Sequence, residues 1–129
     1  MKTIVSAVLI SILMIVASPA YSGGVAVQMW KCEMDDDASE KDVRAHAAKW
    51  LKAAKTMKGG QNLEAQVYFP VAVNNMAETD LIFMIVAPSF AEWGIFWDSY
   101  GGSPAAAADK ENDMVDCPNS AVWESFKVK

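Results

Sequence analysis

Hydrophobic positions fall along the chain in several distinct patterns. The first is a largely apolar run from Ile4 to Val16, set between Lys2 and the small-residue stretch Ala17-Ser18-Pro19-Ala20-Tyr21-Ser22. A charged start, a short apolar segment and small residues at Ala20 and Ser22 predict a removable signal peptide over residues 1–22. Its thirteen-residue run is shorter than the roughly 20 residues of a permanent membrane-spanning helix. One mature domain, residues 23–129, is expected behind it, with no stable membrane span after cleavage.

Within that domain, Val25 to Met34 carries apolar residues on both alternating sets, as a strand covered on both sides would. Glu40 to Lys58 changes period. Val43, Ala47, Trp50, Leu51, Ala54 and Met57 gather on one helical face, while Arg44, Lys49, Lys52 and Lys55 fall elsewhere. Ser39 and Asp42 form a capping box at its start, and Gly59-Gly60 closes it. The preceding Asp35-Asp36-Asp37 reads as negative charge at the helix's positive end. Neither the glycine nor the terminal glutamate of a calcium loop follows it.

Leu63 to Val73 alternates apolar and polar residues and contains Pro70, which suits an edge strand. Asn74 to Asp80 is a polar turn. Leu81 to Ala87 is apolar throughout, which suits a central strand. Ser89 and Glu92 cap a second helix carrying Phe90, Trp93, Phe96 and Trp97. Gly101-Gly102-Ser103-Pro104 interrupts it as a hinge that would serve a lid, and Ala105 to Val115 predicts a further helical piece. Ser120 to Lys129 alternates again as a closing strand.

The resulting order, β-α-β-β-α-β with a broken second helical region, specifies an α+β ferredoxin-like sandwich. Its antiparallel four-stranded sheet runs fourth, first, third, second, with helices on one face. The first and fourth strands are then antiparallel neighbours, which brings Cys32, near the end of one, toward Cys117, just before the other. In an oxidising compartment such a pair is most simply a disulfide. Two unpaired buried thiols are the alternative.

Both alternating sets of the central strands are apolar, so the sheet face away from the helices needs a cover. A second copy of the chain is the simplest one. By element order and pattern over residues 25–129, the chain resembles the dimeric α/β-barrel superfamily of small ferredoxin-like proteins. That resemblance implies a homodimer joined through the sheet face and a ligand cavity between sheet and helices. It covers cofactor-free monooxygenases, haem-degrading enzymes and dehalogenating or isomerising lyases.

Composition narrows the partners. Loss of Lys2 with the signal peptide leaves ten basic residues against sixteen acidic ones, a net charge of −6 in place of −5. Such a surface disfavours nucleic acid, whose binding rests on neutralising phosphates. The cysteine pair and one histidine are too few for a structural metal site, and no metal is expected. No cofactor is evident, although the lone His46 leaves haem open through a single axial ligand.

His46, at the edge of the first helix's apolar face, is also the one candidate general base, against a packing or surface role. Five tryptophans suit a core and an interface. Alternatively, Trp50, Trp93 and Trp97, with Phe83 or Met84 as floor, line a pocket beside His46 for a small apolar or aromatic ligand. Asp109, Glu111, Asp113 and Asp116 read as a solvated acidic face. Gly-x-Ser-x-Gly and glycine-rich phosphate loops are absent.

Three functions remain open at this point. They are a periplasmic or extracellular homodimeric ligand-binding or interaction module, a cofactor-free or haem-linked monooxygenase or lyase-type enzyme, and a structural subunit of an envelope assembly.

Overall fold

Alternation of side chains across Val25–Met34 builds β1, whose even-numbered residues turn toward the helices and whose odd-numbered residues turn away. In the computed structural model, which describes residues 23–72 and 79–129, this strand lies at the centre of the sheet. The predicted signal peptide and Val73–Glu78 of the predicted strand and turn lie outside the described residues.

The remaining elements follow as α1 (Glu40–Ala54), β2 (Glu64–Tyr68), β3 (Leu81–Ala87), α2 (Phe90–Asp98), α3 (Pro104–Lys110) and β4 (Val115–Ser125). The sheet order is β2-β3-β1-β4, and every pairing is antiparallel. This is the ferredoxin-like arrangement, with the second helical region split into α2 and α3.

Each helix starts on a serine whose side chain satisfies an otherwise unpaired backbone donor. Asp42 N–H donates to Ser39 Oγ at 3.2 Å, Glu92 N–H to Ser89 Oγ at 3.1 Å and Ala106 N–H to Ser103 Oγ at 3.1 Å. Pro104 occupies the first turn of α3, where its missing N–H costs nothing.

α1 ends four residues before the predicted Lys58. The following turns carry Met57 back into the core and lay Gly59 against α2. Gly59 has φ +77°, and a Cβ there would stand 2.6 Å from the Phe96 nitrogen. Only glycine allows that approach. Ala26, Ala54, Leu63, Ile85 and Phe96 are fully enclosed in the core beneath it.

The two outer strands differ in extent from expectation. β2 stops at Tyr68, ahead of Phe69-Pro70, because proline disfavours continuation of the ladder. β4 begins at Val115, five residues before the predicted Ser120, and ends at Ser125. Cys117 therefore lies inside the strand, not ahead of it. The register shows why the pattern concealed this. Lys31 pairs with Asn119 but Glu33 pairs with Asp116, so Cys117 and Pro118 together face Cys32. A bulge with one extra residue breaks the period-two alternation and accommodates a proline that cannot donate. Cys32 and Cys117 are joined as a disulfide across this bulge, with Cα atoms 4.1 Å apart.

Candidate functional site

The helix-covered side of the sheet is dry at one end and hollow at the other. At the hollow end α1 presents His46 and Trp50, four residues apart and so on one face. The Trp50 ring meets Phe83 of β3 edge-on, with centroids 5.4 Å apart. Phe83 also meets Trp30 of β1 at 5.6 Å, and Trp30 meets Trp97 of α2 at 6.0 Å. Tyr100, one turn beyond Trp97, closes the group at 4.6 Å from it. Four elements thus contribute one continuous aromatic wall.

Two adjoining spaces open along this wall. The inner one, about 80 Å³, is bounded by His46, Trp50, Phe83, Asp109 and the disulfide. The outer cleft, about 460 Å³, lies between Trp30, Trp50, Trp97 and Tyr100, with Asp109 and Asp116 at its margin. Trp50, Phe83, Asp109 and Cys117 line both. No lysine or arginine lines either space.

The polar groups here are few and placed. Trp50 Nε1–H donates to the Tyr100 hydroxyl oxygen at 3.0 Å. Burial pushes the Tyr100 phenol above its ordinary 10.0; the Trp50 bond opposes this, and nearby Asp109 adds to it. The phenol is therefore a neutral donor at physiological pH.

Asn112 serves structure. Its side-chain oxygen accepts from the Met114 and Val115 amides at 3.1 and 3.3 Å, turning the chain from α3 into β4. Outside the spaces, Lys49 pairs with Glu111 and holds that exposed carboxyl below its usual range. Among the described residues, Trp97 Nε1–H is the one buried side-chain polar atom without a partner. Also among the described residues, no three metal-binding side chains stand together, and no helix is long and apolar enough to cross a membrane.

The residues named from sequence are therefore distributed unevenly. His46, Trp50 and Phe83 line the inner space, and Trp50, Phe83 and Trp97 line the cleft. Trp93 stands apart: its indole N–H donates to Gln28 Oε1 at 2.9 Å, satisfying a buried amide on β1. Met84, the alternative floor, pairs with Met29 and points to the opposite face of the sheet. Tyr100 and Asp109 were not anticipated at this site. Tyr100 follows Trp97 by three residues, one helical turn, which is the signal that placed it there. The acidic set read as a solvated face is exposed as expected, and Asp109 and Asp116 also reach the cleft margin.

No protein-family model and no curated protein sequence matches the chain. Solved structures share its fold. A hydroxynitrile lyase from Passiflora edulis superposes with a TM-score of 0.55 at 12% identity, covering 83% of this chain and 96% of that one. The At3g17210 protein of Arabidopsis thaliana gives 0.57 at 10% identity, covering 81% and 98%. At such identities the likeness establishes the fold alone.

Proposed function

We propose that the chain is an exported homodimer of the dimeric α/β-barrel superfamily that binds a small ligand between its helices and its sheet. The observation carrying this reading is the aromatic cleft of about 460 Å³. That volume lies within the roughly 300–1,000 Å³ typical of small-molecule sites, which combine apolar walls with a few convergent polar groups. The disulfide supports export, since such bonds persist in oxidising compartments.

The dimer rests on the other face of the sheet. Val27, Met29, Ile82, Met84 and Val86 form an apolar centre that no helix among the described residues covers, with Trp123 59% exposed beside it. A second copy offers the same apolar surface across a two-fold axis, and isologous pairing buries both at once. Native mass spectrometry of protein taken from its own envelope tests the whole reading. Two chains with a retained small molecule are expected, whereas ligand-free single chains would overturn it.

One observation favours a second reading, as a lyase. His46 and Asp109 line the same space, and a chain of this fold is a hydroxynitrile lyase. In such a cleavage a base takes the hydroxyl proton, the bond between the carbinol carbon and the nitrile breaks as the carbonyl forms, and cyanide leaves to be protonated. His46 is the base this reading requires. If so, His46→Ala lowers turnover of a hydroxynitrile by about a hundredfold or more, and a binding protein shows no turnover to lose.

A further inference from the structure

We propose that the ligand of the cleft is a small organic ammonium, an inference that rests on the ligand-binding reading above and specifies its chemistry. Three features of the cleft converge on a cation. Its lining includes Trp30, Trp50, Trp97 and Tyr100, and aromatic rings attract alkylammonium groups that water solvates poorly. Its margin carries the carboxylates of Asp109 and Asp116, neither of which is in a salt bridge among the described residues. Its lining contains no lysine or arginine to neutralise those carboxylates or to recognise an anion.

The alternatives fit less well. An anionic ligand would meet two like charges, and a neutral apolar one would gain nothing from either carboxylate. A cation instead gains from rings and carboxylates together. A trimethylammonium alcohol is a small molecule that meets these requirements.

Choline and 3,3-dimethylbutan-1-ol are therefore the two probes, because they share a shape and differ in charge. Each is titrated into the mature oxidised protein at low ionic strength, with heat and tryptophan fluorescence followed. Choline is expected to bind about tenfold or more tightly than the alcohol. Asp109→Asn, at an exposed position, is expected to weaken choline about tenfold and to leave the alcohol unchanged.

Equal or tighter binding of the alcohol would overturn the cation preference while leaving the cleft a ligand site. Choline binding indifferent to Asp109→Asn would place the cation elsewhere and overturn the proposal too. Silence with both probes overturns the ammonium assignment, and the retained mass in native spectrometry then decides the ligand-binding reading separately.

Discussion

The two faces of the sheet are made of similar residues and meet different fates. On the helix side Ala26, Cys32, Leu81, Ile85 and Ala87 are at most 2% exposed. On the other side Val27, Met29, Ile82, Met84 and Val86 are only half-buried by their neighbours, and Tyr68 and Trp123 stand 45% and 59% exposed. Strand composition therefore does not reveal which face the chain covers for itself. What differs is supply: two helical regions cover one side, and nothing within the described residues covers the second. The contrast makes the first face a matter of folding and, on the proposed dimer, the second a matter of association.

The largest test of that contrast lies on the covered side. Phe96 is fully enclosed and packs on Trp50, Trp97 and Tyr100. Phe96→Ala should cost about 3–5 kcal/mol in urea unfolding. A loss below about 1 kcal/mol would mean the helices do not hold that face. Replacing both Cys32 and Cys117 by serine should cost roughly 4 kcal/mol on the chain-entropy account, since the bridge spans 85 residues. An unchanged unfolding midpoint would assign the bulge's stability to strand pairing alone.

Tyr100→Phe should cost roughly 1–2 kcal/mol by leaving the Trp50 N–H unpaired. That effect has a pH signature. Because folding raises the phenol pKa, the folded chain holds this proton more tightly than the unfolded one. The contribution is therefore full below the ordinary 10.0 and is lost as pH rises through the folded value. Stability curves of the two proteins should converge in that alkaline window, and curves staying parallel would contradict the assignment. Smallest in unfolding is Met84→Lys on the bare face, expected within about 1 kcal/mol for the protomer. Its consequence belongs to association, and gel filtration should show it as a single chain. Retention of the native elution volume would remove Met84 from any interface.

Reading the chain from its hydrophobic pattern succeeded where local rules and tertiary packing agree. Val25–Met34 and Leu81–Ala87 have the bounds their apolar runs predicted, and the serine caps sit where their spacing placed them. The cysteine pairing followed from the topology.

The misreadings share a physical origin in interrupted periodicity. Pro118 and the residues after it resemble a turn, and the bulge beside Cys117 shifts the alternation by one, so β4 was started late. The site was half visible. Trp50 and Phe83 follow from element faces, but Asp109 arrives through the path of a short helix, and Trp93 is diverted to Gln28 by a buried amide that needed a donor. Neither consequence can be read from spacing, because each depends on which side chains the fold sets opposite.

The claim on which the account turns is that the bare face of the sheet is covered by a second copy. Light scattering on residues 23–129 in the oxidised form measures this directly. The account predicts a solution mass of two protomers, and a mass of one protomer across the accessible concentration range would contradict it.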